Sequence, residues 1–445
     1  MVFNSMHFLI FFPIALAGYY IFQPKKRWFF LLLVSIYFYV SYLPKYALVL
    51  FALITLDYFA GRLIERYIGS KRAAVLILSL VGNLSVLCFF KYINLMTSWN
   101  ILLPLGLSFH VFQSLSYVIE VYRGNYRVEK HFGMYALYVM FFPQLVAGPI
   151  ERPGYLLPQL KLEHKYNWPQ ILSGVEQMIW GFFKKLVIAD RIAQFVDPTF
   201  LQPDKSMSIN VILAIFLFTL QLYADFSGYV DIAIGSARTL GIELSPNFNH
   251  PFHARTVADF WRRWHISLSS WFRDYVYIPL GGSRVSSIKW ARNILITFLI
   301  TGIWHGAGWN FAIMGLISAI YIIAGKYIQP FGPPIWQRMQ TFILMSFCWL
   351  FFRASTLTDA TMLLRQLFAW HDITWLKILY GHSMTEFLIM IIGIYVMLFV
   401  ERFDILNHKI IKSHAISKTA LTAFLLLSIL AYGVYSGNQF IYFQF

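Results

Sequence analysis

Residues 293–325 read NILITFLITGIWHGAGWNFAIMGLISAIYIIAG and contain no Lys, Arg, Asp or Glu. A helix crosses the hydrocarbon of a bilayer with about 20 mostly apolar residues, because all its backbone groups are hydrogen-bonded within the segment. This stretch is long enough for more than one segment, yet it carries one imidazole, His305, close to its middle. It therefore predicts a membrane protein with an ionisable group in its core.

The rest of the chain has the same character. It is 58% hydrophobic and 13% charged, whereas about a quarter of the residues of a soluble domain are charged. We expect an all-α polytopic protein of about ten to thirteen membrane helices, forming a single membrane-embedded domain over residues 1–445. The other candidate spans are residues 1–24, 28–44, 46–61, 73–90, 102–122, 132–148, 209–224, 339–352, 387–400 and 419–445.

The formal charge of +16 is distributed as expected for a protein of the cell membrane. Basic residues cluster at 25–27, 62–72 and 123–130, and each interval has room for two crossings. The positive-inside rule then places these clusters in the cytoplasm and the N-terminus outside. The basic excess meets anionic headgroups of the lipid bilayer, and no nucleic-acid-binding motif accompanies it.

The termini and cysteines carry little further information. The first 24 residues lack the basic start and the small-residue end of a signal peptide, so they predict a retained first helix. Cys88 and Cys348 lie in apolar runs and are interpreted as small buried hydrophobes, with no disulfide or metal-ligand spacing.

Charged groups enter the apolar chain between residues 221 and 310. Asp225 and Asp231 lie in or beside an apolar run, where carboxylates are costly. They either line a substrate path or pair with nearby arginines and brace the helices.

Further along, Arg262, Arg263 and Arg273 alternate with tryptophans in an amphipathic segment that does not span the membrane. These arginines suit phosphates of an acyl carrier, or only lipid headgroups. Basic, helix-like residues 184–191 also favour re-entrant or interfacial helices.

His305 is the strongest candidate for chemistry. A lone histidine is often a hydrogen-bonded core residue, but polar groups at membrane depth usually mark a substrate path or proton relay. Gly302, Gly306 and Gly308 leave room for a substrate or another helix. An imidazole can take the proton of an attacking hydroxyl at neutral pH, so we expect His305 to be a general base, with His265 orienting or completing the site. The remaining candidates for the substrate or donor channel are Trp261, Trp304 and Asn310. No metal, hydrolase or nucleotide motif is present in the sequence.

The chain resembles the membrane-bound O-acyltransferase family, in particular its bacterial branch for alginate and peptidoglycan O-acetylation. The resemblance covers nearly the whole chain and lies in MVFNSMHFLIFFPI (1–14), LLPLGLSFHVFQSLSYVIEVYRG (102–124), FFPQLVAGPIERP (141–153), QLYADFSGYVDIAIG (221–235), FWRRWHISLSSWFRDYVYIPLGG (260–282), GIWHGAGWNF (302–311) and FIYFQF (440–445). It implies tilted and re-entrant helices around a central channel, and it maps the two signature histidines of the family onto His265 and His305.

The resemblance also implies a reaction. The acyl group comes from a cytoplasmic thioester, acetyl-CoA or another acyl thioester used as co-substrate, with no bound cofactor. It passes through the cell (inner) membrane toward a polysaccharide, often with help from a periplasmic or extracellular transferase of the SGNH type. D-alanyl transfer to teichoic acid is the alternative within the family. A transporter of polar lipids or sugars, or a non-catalytic scaffold, would also be polytopic.

Overall fold

The computed structural model describes residues 1–42, 44–99, 101–104, 106–369, 379–403, 415–435 and 440–441. This part of the chain is helical and contains no strand, which confirms the all-α prediction. The helices are α1 (Met6–Ile21), α2 (Arg27–Val40), α3 (Ala47–Arg66), α4 (Ser70–Met96), α5 (Leu107–Arg123), α6 (Phe132–Met140), α7 (Phe142–Leu145), α8 (Pro153–Lys161), α9 (Trp168–Phe182), α10 (Asp190–Leu201), α11 (Ser208–Thr239), α12 (Val257–Arg263), α13 (Ile266–Phe272), α14 (Ser287–His305), α15 (Trp309–Ala324), α16 (Pro334–Arg353), α17 (Leu357–Gln366), α18 (Met384–Arg402) and α19 (Ala415–Tyr432).

Local sequence signals set several helix boundaries. The Ser5 hydroxyl accepts a hydrogen bond from the Phe8 amide at the start of α1. A capping box of Ser383 and Glu386 begins α18, since each side chain accepts from the other residue's backbone amide. Gly124, at φ +79°, ends α5 in the left-handed conformation that glycine adopts without strain.

The chain forms two compact units, with two boundaries within α9 and α11 and a third between α11 and α12. Unit 1 comprises residues 1–178 and 229–246, and unit 2 comprises residues 179–228 and 247–445. A single domain over residues 1–445 therefore stays a prediction.

In unit 1, a buried carboxylate joins α3, α4 and α5. Asp57 is fully buried and accepts hydrogen bonds from Ser79 Oγ at 2.6 Å, from Asn83 Nδ2 at 2.8 Å and from Ser114 Oγ. The Ser114 hydroxyl also lies 2.7 Å from that of Tyr135 on α6. Because every partner of this carboxylate is a neutral donor, the network holds the helices by hydrogen bonds rather than by an ion pair.

In unit 2, α9 passes into α10 through a π-helical turn, Phe183–Ala189. The turn packs against α18 and α19, and its lysines, Lys184 and Lys185, are both buried. The unit has one large apolar core that includes Trp264, Trp349 and Phe352, all at most 1% exposed. Most of the candidate residues lie in or beside this core.

Within the described residues, four helical segments are long and apolar enough to cross a membrane: Pro44–Arg66, Ser70–Met96, Ser208–Thr239 and Met384–Arg402. Shorter apolar helices are Met6–Ile21, Trp309–Ala324 and Thr419–Tyr432. Ten to thirteen spans and an external N-terminus stay predictions. Residues 436–439 and 442–445 of the 419–445 candidate span, the latter part of the FIYFQF motif, lie outside the described residues.

The structure corrects two expectations. Residues 132–148 were expected to form one span, but the run divides into α6 and the four-residue α7 at Phe141, because Pro143 in the next turn cannot continue the α6 hydrogen bonds. Cys88 was expected to be buried and is exposed on α4, a helix with few buried positions; Cys348 is buried as predicted.

Candidate active site

The uncharged stretch 293–325 forms two helices, α14 and α15, which pack against each other. A Cβ on Gly302 would overlap the carbonyl oxygen of Phe311, and one on Gly315 would overlap that of Phe298. At the break, a Cβ on Gly306 would overlap the Phe311 ring. The glycines beside His305 thus permit close approach of helix to helix, one of the two uses that the sequence predicted.

His305 is the last residue of α14 and is 5% exposed. Its ring lies edge-on to Trp304 at 4.8 Å and to Phe352 at 5.4 Å between centroids. The C-terminal end of a helix carries partial negative charge, which favours a cationic side chain by about 0.3–1 kcal/mol. The ring of His305 therefore lies in a buried aromatic surrounding, beside the partially negative end of α14.

His265 lies in the break between α12 and α13 and is 1% exposed. The two helices have seven residues each, which confirms that this segment does not span the membrane. Its backbone is left-handed, with φ +44°, an uncommon conformation for a residue with a side chain. Hydrogen bonds from the neighbouring loop must hold the turn.

Asn247 supplies these hydrogen bonds. Its backbone carbonyl accepts from Ile266 N at 2.9 Å. Its side-chain oxygen accepts from Ser267 N at 3.0 Å and from Ser267 Oγ at 2.9 Å, and lies 3.2 Å from His265 Nδ1. Since the backbone amide of Ser267 requires an oxygen at this position, the hydrogen between Asn247 and His265 must belong to Nδ1. A neutral His265 then presents Nε2 as an acceptor.

The two histidines lie at opposite ends of a series of contacting rings in unit 2. Between them stand, in order, Phe226, Phe248, Trp264, Trp349 and Phe352, with successive centroids 4.7–5.6 Å apart from His265 to His305. Trp261 joins the same cluster through Trp349, at 5.7 Å. Trp304 contacts Phe272 of α13 at 6.4 Å. The structure therefore brings Trp261, Trp304 and both histidines into one aromatic cluster.

Asp225 belongs to a buried charge cluster in unit 2. Lys185 Nζ lies 2.7 Å from Asp225 and 2.8 Å from Asp190. The second carboxylate oxygen of Asp225 accepts from the backbone amide of Ile441 at 2.8 Å. The expected arginine partner was wrong, because the cation is a lysine from the π-helical turn. These contacts make Asp225 a link between that turn, α11 and the C-terminal segment.

Asp231 lies in unit 1 and accepts a hydrogen bond from the side-chain amide of Gln177, with Nε2 at 3.0 Å. In unit 2, Asn310 is fully buried and donates to the carbonyls of Phe351 at 3.1 Å and Ala354 at 2.7 Å. It thereby joins the start of α15 to the end of α16.

The arginines of α12 and α13 make local ion pairs. Arg262 and Arg263 lie 3.4 and 3.0 Å from Asp259, and Arg273 lies 2.8 Å from Asp274. The side chain of Arg262 is 71% exposed. Exposed pairs of this kind contribute little to stability, so these guanidinium groups stay available for anionic groups near the surface.

Two residues that the sequence analysis did not single out contact the candidates directly. Asn247 stands in SPNFNHPF, where an asparagine indicates a turn rather than a histidine partner. Lys185 was interpreted as part of an amphipathic stretch. The sequence gives one signal for its burial: Lys184 and Lys185 are adjacent, and adjacent residues of a helix lie on different faces, so both lysines cannot lie on one solvent-facing side.

Comparisons with known proteins identify the family of the chain. The model of the membrane-bound O-acyltransferase family matches residues 76–364, which include both histidines. The chain is 36% identical over 422 residues to the peptidoglycan O-acetyltransferase of Helicobacter pylori, covering 82% of this chain and 79% of that protein. It is 36% identical over 398 residues to a probable alginate O-acetylase of Azotobacter vinelandii, covering 84% and 79%.

A third relative is more distant. The teichoic acid D-alanyltransferase of Bacillus subtilis is 27% identical over 240 residues, covering 52% of this chain and 60% of that protein. The family model, the two long alignments and the apolar helices agree. The chain therefore belongs to the membrane-bound O-acyltransferase family and is a multi-pass membrane protein.

Proposed function

We propose that this protein moves an acetyl group from a cytoplasmic thioester donor, acetyl-CoA, across the cell membrane for O-acetylation of a cell-envelope polysaccharide of the alginate or peptidoglycan type. The observation that carries the proposal is the match along most of the chain to relatives named for such O-acetylation. The D-alanyltransferase alignment covers much less of the chain at lower identity, which favours acetyl over D-alanyl transfer.

In the proposed reaction, His305 is the general base. It takes the proton of the acceptor hydroxyl while the oxygen attacks the thioester carbonyl carbon. The tetrahedral intermediate then expels the thiolate, which leaves protonated, and the products are an O-acetyl ester and the free thiol. The position of His305 at the C-terminal end of α14 supports this role, because it favours the protonated ring.

His265 has the complementary position. It precedes the first turn of α13, where the helix end favours negative rather than positive charge. The hydrogen bond of Nδ1 to Asn247 leaves Nε2 of the neutral ring as an acceptor. We assign His265 the role of holding the acceptor hydroxyl, and Trp261 and Trp304 that of lining the path around it.

The final acceptor lies beyond the membrane in this scheme. We propose that a periplasmic or extracellular transferase of the SGNH type receives the acetyl group and passes it to the polysaccharide. A transporter of polar lipids or sugars would use the same polar groups without breaking a thioester. Release of free thiol therefore separates the two functions.

The test is acetyl transfer from labelled acetyl-CoA in purified membranes containing the full chain. His305→Ala and His265→Ala are each expected to lower the rate at least a hundredfold at matched expression, in the range expected for a positioned acid–base group. The control is His382→Ala, since His382 pairs with Glu386 at the start of α18, outside the aromatic cluster. Full activity of His305→Ala, or solute movement without thiol release, contradicts the proposal.

A further inference from the structure

Basic side chains of unit 2 converge around a short turn, Pro251–His253, that precedes α12. The rings of His250 and His253 lie nearly parallel, 5.5 Å apart with an interplanar angle of 19°. Arg263, at the end of α12, donates from Nη1 to the carbonyl of Asn249 at 3.3 Å. The Asn249 amide in turn donates to the Arg263 carbonyl at 3.0 Å. The turn and the end of α12 are thus one assembly.

Helix α16 brings Arg338 to this turn. Phe252 packs edge-on against Phe342 of α16, with centroids 5.5 Å apart. Arg338 precedes Phe342 by four residues and therefore lies on the same face of α16, one turn earlier. Its Nε is buried and has no hydrogen-bond partner within the described part of the chain.

Helix α18 brings Arg402. The ring of Phe252 also packs against Tyr223, at 5.0 Å, and the Tyr223 hydroxyl donates to Glu401 at 2.8 Å. Arg402 is the next residue and is exposed. The electrostatics agree with this geometry: burial, and then the positive charges of His250, Arg338, Arg402 and Arg263, lower the pKa of His253 to about 4.

Two carboxylates lie near these basic residues, and one of them pairs with Arg263 of the cluster. Asp259 is shared by Arg262 and Arg263. Glu401 accepts from Tyr223 and lies 4.0 Å from Lys184 Nζ. Among the described residues, no carboxylate lies within ion-pair distance of Arg338. Several like charges held together repel one another, and a bound anion relieves this repulsion.

We propose that His250, His253, Arg263, Arg338 and Arg402 form a binding site for a phosphate group. Guanidinium groups match phosphate oxygens in charge and in fork geometry, and the imidazole rings add N–H donors. The phosphate belongs either to the headgroup of an anionic lipid or to a soluble phosphate compound. Basic residues that follow α18 in the sequence, Lys409 and Lys412, favour the cytoplasmic side for this end of the helix. The site does not depend on the acyl-transfer proposal.

Binding measurements on the full chain test the site. In one arm, pyrophosphate is titrated calorimetrically into the protein in neutral detergent. In the other, the protein is reconstituted in phosphatidylcholine vesicles with or without phosphatidylglycerol, and retained lipid is measured by native mass spectrometry. Arg338→Gln and Arg402→Gln are each expected to weaken binding about tenfold in the arm with the true ligand, as expected for loss of a charged hydrogen-bond donor.

Controls separate binding from folding and from net charge. Arg365→Gln removes one exposed charge from α17 of the same unit and should leave binding unchanged. Arg338→Lys keeps the charge but not the fork geometry, so it should weaken binding less than Arg338→Gln. A loss confined to the vesicle arm identifies a lipid headgroup, and a loss confined to the detergent arm identifies a soluble phosphate. Should Arg338→Gln misfold, the exposed Arg402 still provides the test. The proposal is overturned if Arg338→Gln and Arg402→Gln bind as tightly as Arg365→Gln and the unsubstituted chain. It is also overturned if none of these four proteins binds.

Discussion

The substitution Asn247→Ala should separate the folding role of this residue from its role at His265. The change removes one amide oxygen that serves three buried groups: Ser267 N, Ser267 Oγ and His265 Nδ1. The bond from Ile266 N to the Asn247 carbonyl survives, because it uses the backbone. The Ser267 hydroxyl can rotate to another acceptor, so two donors lose their partner.

The structure sets the size of the effect. A buried donor without a partner costs about 1–3 kcal/mol, so two donors lower the free energy of unfolding by about 2–6 kcal/mol. The substitution also removes the acceptor that fixes the tautomer and orientation of the His265 ring through Nδ1. Misplacement of a catalytic group by about 1 Å costs on the order of a hundredfold in rate.

The assay combines thermal unfolding in detergent with acetyl transfer normalised to folded protein. Asn247→Asp keeps an acceptor oxygen at this position but buries a negative charge, so it should recover only part of the stability that Ala loses. Asn293→Ala is a matched control, because Asn293 is also fully buried but donates to the carbonyl of Gly282 at 3.1 Å. It should lose stability while the rate per folded molecule is unchanged. Equal rates per folded molecule for Asn247→Ala and Asn293→Ala would refute the positioning role of Asn247.

Three further predictions concern the frame around the site. Lys185→Met should lower the free energy of unfolding by about 3–5 kcal/mol, because it leaves buried carboxylates without their cation. Adding Asp225→Asn should recover part of this loss in thermal unfolding, and no recovery would contradict the ion-pair account. Gly302→Ala should cost about 1–3 kcal/mol, because its Cβ would overlap the carbonyl of Phe311, and an unchanged melting temperature would argue against close packing of α14 on α15. Thr256→Ala should cost about 1 kcal/mol, measured in the same way, because its hydroxyl caps α12.

The sequence predicts helix breaks and non-spanning segments well where one physical constraint dominates. Residues 293–325 are too long for one span and contain glycines beside His305, and the structure divides them into α14 and α15 at that point. The alternation of arginine and tryptophan after Trp261 excludes a spanning helix, and α12 and α13 are indeed short. Both predictions follow from the cost of burying charge or backbone in hydrocarbon.

The side-chain partners were not predictable in the same way. Asp225 pairs with Lys185, 40 residues earlier, and only the packing of the π-helical turn brings the two together. A lysine at the edge of an apolar run can either pair with a buried carboxylate or extend to the lipid headgroups. The sequence around Lys185 is the same in both cases, so it does not predict which of the two occurs. Asn247 likewise follows a proline in a loop, a setting in which asparagine usually serves only its own turn.

A charged or polar residue at membrane depth therefore does not by itself mark a catalytic site in this chain. Asp57 has three neutral donors, and Asp225 has a lysine and a backbone amide, so each is held by partners that stabilise its unit. The histidines differ in a way that bears on chemistry. His305 ends a helix, where the partial charge of the backbone is negative, and His265 precedes one, where it is positive. In the proposed acyl transfer one group accepts a proton and another holds the hydroxyl without becoming charged, and the partial charges of the two helix ends would favour this division of roles between His305 and His265.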